Sequence, residues 1–303
     1  MIKPDLINIG SAKLAYKIFG TGKVNIIVES SLNSCIGEWW HLGEKLSEKY
    51  TVLLYERAGY GSSTKSSLDR TPKNIANELH NLLSLIHHED KIIFIGHSQG
   101  GLYAQQYARL YPELVKGLIL IDPLSANDNV WKEALSPEEY KKSGADKFKN
   151  FNTAYLLTKL HLGFILKPLI KMAPPFYYYN GFSKEALNYM LSSLTKPSQY
   201  KNAIEEYELS HKHEEIEFLK YKDGFPQVTL FLITHSSEFS IREIMDFGQA
   251  SRETAEKVEN LWQHLMKEYL TFTENSVYIQ AKNSSHYIHL TEFELIEKAL
   301  ILM

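Results

Sequence analysis

Residues 91–101, KIIFIGHSQGG, join an uninterrupted aliphatic run to a glycine-rich turn, and the positions beyond them keep helical spacing as far as Pro112. The run is short and rich in isoleucine, as expected of a strand buried on both faces. Gly96, His97, Ser98, Gln99 and Gly100 fit G-x-S-x-G at the junction between that strand and a helix predicted over residues 100–111. A chain that passes so abruptly from strand to helix holds the central serine in a strained conformation and requires small residues two before and two after it. Gly96 and Gly100 meet that steric demand, and Gly101 lets the helix approach the sheet closely. Ser98 therefore reads as a presented nucleophile rather than as a helix cap.

Outward from this turn, short aliphatic runs alternate with helical patterns. Strands are predicted at residues 25–29 (NIIVE), 51–56 (TVLLYE), 91–96 (KIIFIG) and 117–121 (GLILI), with helices at 39–49, 72–87 and 100–111. Continuous apolar strands separated by helices predict a largely parallel sheet covered on both faces. Residues 5–10 and 13–19, separated by a turn at Gly10 and Ser11, predict an antiparallel hairpin ahead of it. Residues 124–225 change character, being helical and irregular, with Pro174–Pro175 and the run Tyr177, Tyr178, Tyr179. The strand–helix rhythm returns at 227–234 (QVTLFLIT), a helix near 254–269, a strand at 276–281 and a terminal helix at 292–302. The division predicted is one α/β core formed by residues 1–123 and 226–303, interrupted by a helical insertion over 124–225.

Composition narrows the partners. The 303 residues carry 33 Lys and Arg against 36 Asp and Glu, a net charge of −3, with 44% hydrophobic and 12% aromatic residues. This favours a folded globular chain and gives no basic face for nucleic acid. The single cysteine, Cys35, cannot form an intramolecular disulfide, and no apolar run approaches the ~18 residues of a membrane span. The first residues lack the apolar core of a secretory signal, so a cytoplasmic location without membrane insertion is expected.

GHSQGG, YERAGYGSS (residues 55–63), GLILIDP (117–123) and SSHYIHL (284–290) together resemble the α/β-hydrolase superfamily, in particular its esterase and lipase-like members with a helical cap. The resemblance runs over nearly the whole chain outside the insertion. It implies the α/β-hydrolase fold: a mostly parallel eight-stranded sheet, helices on both faces, and a helical cap. It also implies a nucleophile elbow at Ser98 and a catalytic histidine in the loop after the last strand. A serine hydroxyl needs a base within reach, and of twelve histidines His286 fits best, lying in a polar loop between the last predicted strand and the terminal helix. His289 is the fallback, and His97 is expected to be packed. Two carboxylates compete to orient the base: Asp122, ending the strand beside the nucleophile strand, and Glu238, in THSSE after the strand 228–234. Both satisfy the order serine, acid, histidine. Asp122 is favoured, because the loop of Glu238 lacks the Gly and Asp that usually build the other site. The oxyanion hole is assigned to the backbone NH groups of Gln99 and Leu32; Ser30, Ser31 and Leu32 stand where the family usually has His-Gly-x.

Other motifs carry less. His211 and His213 lie two apart in a helical stretch and face different directions, so no metal site is expected. His87 and His88 are read as cations at a helix end. Gly59 and Gly61 lack the third glycine of a dinucleotide fingerprint, and no cofactor is expected. Residues 160–170 and 172–182 are apolar enough either to line an acyl pocket or to form the insertion's own core. The activity these residues point to is hydrolysis of a carboxylic ester or related small acyl compound through an acyl-enzyme. Amide or carbon–carbon bond hydrolysis by the same triad is an alternative, as is a non-catalytic ligand-binding protein on the same fold. A serine nucleophile argues against chemistries that require a carboxylate to form an alkyl ester.

Overall fold

The computed structural model describes residues 2–144 and 148–303. Eight strands form one sheet: β1 (Asp5–Asn8), β2 (Lys13–Phe19), β3 (Val24–Glu29), β4 (Val52–Glu56), β5 (His88–His97), β6 (Val115–Ile121), β7 (Thr229–Thr234) and β8 (Ser276–Gln280). Their order is β1-β2-β4-β3-β5-β6-β7-β8. The β1–β2 and β2–β4 pairs are antiparallel and all the others parallel. The mostly parallel eight-stranded sheet of the α/β-hydrolase fold is therefore present.

The helices of the first half are α1 (Ile36–Leu46), α2 (Pro72–Leu83) and α3 (Gln99–Leu110). Between β6 and β7 lie α4 (Val130–Ala134), α5 (Pro137–Lys142), α6 (Phe148–Lys159), α7 (Leu166–Lys171), α8 (Lys184–Ser193), α9 (Pro197–Leu209) and α10 (His213–Ile216). The chain closes with α11 (Ser237–Gly248), α12 (Arg252–Lys267), α13 (Ile288–Thr291) and α14 (Glu294–Ile301).

Period-two alternation along the central strands builds a core on each side of the sheet. Leu118, Leu120, Leu230 and Leu232 face one side, where Leu79, Ala104 and Val258 from α2, α3 and α12 cover them. Ile119, Ile121, Phe231 and Ile233 face the other, against Trp39 and Leu42 of α1 and Ile296 of α14. At roughly 1.5–3 kcal/mol for each large aliphatic side chain fully removed from water, these two layers dominate the stabilisation of the fold. Both faces being covered explains why these strands read as continuous apolar runs.

Two local expectations differ from the structure. The helix predicted over 72–87 ends at Leu83, and His88 begins β5, so the two histidines do not terminate a helix. Residues after β7 form α11 rather than a loop, which places Glu238 in a helix's first turn. Within the region between β6 and β7, Leu166 packs with Ala154 and Tyr200, whereas Phe164, Leu169 and Met172 are exposed.

Candidate active site

Parallel strands direct their C-terminal ends to one edge of the sheet, and loops leaving that edge converge where neighbouring strands diverge to opposite connections. Ser98 leaves β5 there, Asp122 leaves β6, His235 leaves β7 and His286 follows β8. Ser98 has φ 53° and ψ −124°, outside the regions that a residue with a Cβ prefers. Its amide donates to Ile121 O at 3.1 Å, and its carbonyl accepts from Gly101 N at 2.9 Å and Leu124 N at 2.8 Å. These bonds tie the strained turn to the end of β6, to the loop that follows it and to the first turn of α3.

The glycines are needed by contact as well as by pattern. A Cβ on Gly100 would lie 2.0 Å from Glu29 O and 2.5 Å from Ser30 O, and one on Gly101 would lie 2.4 Å from Pro123 Cβ. The first turn of α3 therefore sits directly on the end of β3 and the loop that follows. That loop carries Leu32, half-buried in a turn whose next residue, Asn33, has φ 62°. Arg57 holds it in shape by donating from Nη1 to Ser30 O at 2.7 Å and from Nη2 to Ser31 O at 3.0 Å. The Gln99 side chain is tied away from the turn, its Nε2 donating to Ser210 Oγ at 2.6 Å and Tyr103 Oη at 2.9 Å, while its backbone NH belongs to the open first turn of the helix.

His286 and Asp122 are brought together. Nδ1 of His286 lies 2.7 Å from Oδ2 of Asp122, with side-chain exposures of 30% and 0%. A proton on Nδ1 is fixed by that carboxylate, which leaves Nε2 as the basic atom of the ring. Asp122 has φ 45°, and its amide donates to Ile233 O at 2.8 Å, so the β6–β7 pairing continues one residue past the strand and turns the carboxylate toward the edge. The loop bearing His286 is further held by His97, whose Nε2 donates to His286 O at 2.9 Å. Burial, reinforced by the neighbouring His289 and His286, holds His97 well below the usual histidine range, so it serves as a neutral hydrogen-bond donor. His97 is packed, as expected.

Glu238 lies elsewhere. Its side chain is 47% exposed and is paired with Arg242 and Arg252, each at 3.3 Å. The reason is α11: once residues after β7 coil into a helix, Glu238 in its first turn points to these arginines, and the partner of His286 is Asp122. His289 does not take the base position either; it stacks on Trp39 with centroids 3.9 Å apart and its Nε2 lies 3.1 Å from Glu38 Oε1. Burial pushes the Cys35 thiol upward, keeping it protonated and unreactive.

Two groups the sequence did not single out complete the surroundings. His235 places Nδ1 2.6 Å from Asp122 Oδ2 and Nε2 2.8 Å from Glu259 Oε2, and Trp262 Nε1 donates to Asp122 Oδ1 at 3.2 Å. His235 stood within THSSE, but its partner lies across a hundred residues of chain, and only the β6–β7 register, Ile121 opposite Ile233, brings the two strand ends together. Arg57 likewise stood within YERAGYGSS without a partner in view. Its second carboxylate is Glu206 of α9, at 3.0 Å, beside Glu29 at 2.7 Å.

Among the described residues, two sets of side chains bring metal-ligating atoms within 4.8 Å of one another: Asp122, His235 and His286, and Glu38, His97 and His289. In the first, both nearest ring nitrogens address one carboxylate oxygen at hydrogen-bond distance, the arrangement of donors around an anion. In the second, one nitrogen of His97 is committed to the His286 carbonyl. Of the HxH pair, His211 bonds Asp128 at 2.8 Å, and the side chain of His213 lies outside the described residues.

A family model described as alpha/beta hydrolase fold matches residues 24–161. An uncharacterized protein, Mb2734, from Mycobacterium bovis is 32% identical over 107 residues, 35% of this chain and 31% of that protein, so the match spans under a third of the relative's length. YqjL of Bacillus subtilis, also uncharacterized, is 22% identical over 93% of this chain and 83% of its own. Among solved structures the epoxide hydrolase CorEH superposes with a TM-score of 0.67 at 17% identity, covering 99% of this chain and 97% of that one.

Proposed function

Because this chain is a member of the α/β-hydrolase superfamily, we propose that it is a serine hydrolase cleaving a carboxylic ester or related small acyl compound through an acyl-enzyme on Ser98. The observation that carries the reading is the 2.7 Å contact of His286 Nδ1 with the buried Asp122 carboxylate beside a serine at φ 53°. Ser98 Oγ attacks the acyl carbon while His286 Nε2 takes its proton. The leaving group receives that proton, and water, activated by the same nitrogen, releases the acid and restores the serine. Asp122 keeps the ring in the Nδ1–H tautomer and stabilises its charged form. The backbone NH groups of Gln99 and Leu32 receive the oxyanion, each worth about 10²–10³ in rate.

In this reading residues 124–225 act as a cap over the site, and α9 is its fixed part, joined to the core by Glu206 and Ser210. No cofactor takes part in this chemistry. A cytoplasmic site of action suits the single buried thiol.

The test is labelling with a fluorophosphonate probe, followed by peptide mapping. Ser98 is expected to carry the label and Ser98→Ala to lose it; an unlabelled Ser98 in folded protein defeats the proposal. A series of p-nitrophenyl esters of rising chain length then reads the acyl preference.

A further inference from the structure

Asp122 is addressed by two histidines, and the reaction above uses one of them. The other, His235, is enclosed between carboxylates: Nδ1 is 2.6 Å from Asp122 Oδ2 and Nε2 is 2.8 Å from Glu259 Oε2. Carboxylates accept hydrogen bonds, so each ring nitrogen has to donate, and only the imidazolium carries both protons. Side-chain exposures of 7% for His235, 0% for Asp122 and 2% for Glu259 keep solvent from competing for these bonds. The arrangement is fixed on its outer side by Gln263, whose Nε2 donates to Glu259 Oε1 at 2.8 Å, and by Trp262, whose ring stacks on His235.

We propose that His235 is a positioning residue that, with both ring nitrogens protonated, bridges Asp122 and Glu259, fixes the Asp122 carboxylate for His286 and sets the net charge beside that base. This rests on the roles proposed above for Asp122 and His286. The charged and titratable groups facing His235 are Asp122 from the end of β6, Glu259 from α12 and, across the shared carboxylate, His286 from the loop after β8. Burial opposes the charge on His235, but the two carboxylates outweigh it and raise the ring to about 10. The charge arithmetic is then definite. Asp122 and Glu259 contribute two negative charges and His235 one positive, leaving one net negative charge beside His286. A single buried His–Asp contact would leave the same charge, but without the ring donor on Oδ2 that, together with Trp262 Nε1 on Oδ1, restrains the Asp122 carboxylate. Glu259 is what allows a cation to sit on Asp122 without weakening its hold on the base.

The experiment is the pH dependence of the rate at which a fluorophosphonate inactivates the protein, whose acidic limb reports protonation of His286. His235→Asn keeps an amide donor near the Nδ1 position but removes the charge; its limb is expected to move up by about 1 pH unit, the lower end of what a charge a few ångströms away produces. Glu259→Gln removes a negative charge and moves the limb down. The double variant restores the original net charge and brings the limb back to within about half a unit of the wild type. Opposite shifts that cancel are not produced by loosened packing. In the ring ¹⁵N spectrum of the wild type, both His235 nitrogens are expected to be protonated at pH 8. Limbs that stay put, or that move the same way in both single variants, overturn the proposal, as does a neutral ring at pH 8. If His235→Asn does not fold with Glu259 left unpaired, Glu259→Gln and the double variant carry the same comparison. Wild-type protein that is not inactivated at any pH defeats the Ser98 reading itself, whereas normal inactivation with unmoved limbs defeats only the role of His235.

Discussion

Ser98 occupies a backbone conformation that costs about 1–3 kcal/mol, and the neighbouring glycines are what make it sterically possible. Gly100 tests this directly. An added methyl would meet two carbonyl oxygens at 2.0 and 2.5 Å, and both belong to backbone that cannot step aside cheaply. Gly100→Ala is expected to destabilise the protein by about 3 kcal/mol in urea titration and to abolish labelling of Ser98, because the displaced segment also carries Leu32. At Asp122 and Glu238 the geometry separates two carboxylates that chain order alone left equal. Asp122→Asn is expected to lower kcat for an ester substrate by roughly 10⁴-fold, since an amide in place of the acceptor favours the wrong histidine tautomer. Glu238→Gln, which removes only exposed pairs with Arg242 and Arg252, is expected to leave turnover within about twofold and stability within about 1 kcal/mol. The elbow was legible in the sequence because its constraint is local: a sharp turn needs small residues at fixed spacing. The choice of acid was legible only as a preference for Asp122, because it depends on whether the residues after β7 coil into a helix.

Helix α9 and the end of β4 meet through buried charge. Arg57 is bound by Glu29 at 2.7 Å and Glu206 at 3.0 Å, with all three side chains 1% exposed or less, and the same guanidinium holds the carbonyls of Ser30 and Ser31. Arg70 adds contacts to Glu78 at 2.6 Å and Glu206 at 3.5 Å. Removing Arg57 leaves Glu29 buried without a cation and Glu206 with only the longer contact to Arg70, so Arg57→Ala is expected to lower stability by about 3–5 kcal/mol, read as a fall in the urea midpoint. Arg57→Lys retains charge but has no planar fork to span two carboxylates and two carbonyls. It is expected to recover part of the stability and less of the activity, because the loop carrying Leu32 loses its clamp. Arg57 stands within YERAGYGSS, but nothing there singles it out, because its partner lies 149 positions away on a helix whose sequence gives no sign of what it faces.

Across the molecule, the buried charges define a pH window for stability. Asp122 is pushed up by burial and pulled further down by His235 and His286, so its folded value lies below its ordinary 3.8. Its contribution is present above that ordinary value and is lost as pH falls toward the folded one. His235 has the opposite sign: raised from 6.5 to about 10, it contributes fully below 6.5 and ceases to contribute as pH rises through 10. Thermal denaturation is therefore expected to show Tm declining from pH 7 to 10, and His235→Asn to flatten that alkaline decline while starting from a lower Tm. An alkaline slope identical in wild type and variant would mean that His235 is not the group responsible. The sequence by itself determined the parallel sheet, the position of the strained turn at Ser98 and the loop that bears His286, because strand burial, helix spacing and turn sterics act between residues a few positions apart. Only the tertiary structure decided that Asp122 rather than Glu238 meets His286, that His235 and Glu259 stand behind it, and that Arg57 reaches α9. Those contacts depend on strand order and register across a hundred intervening residues, and the energy of a charge depends on what the fold has placed around it.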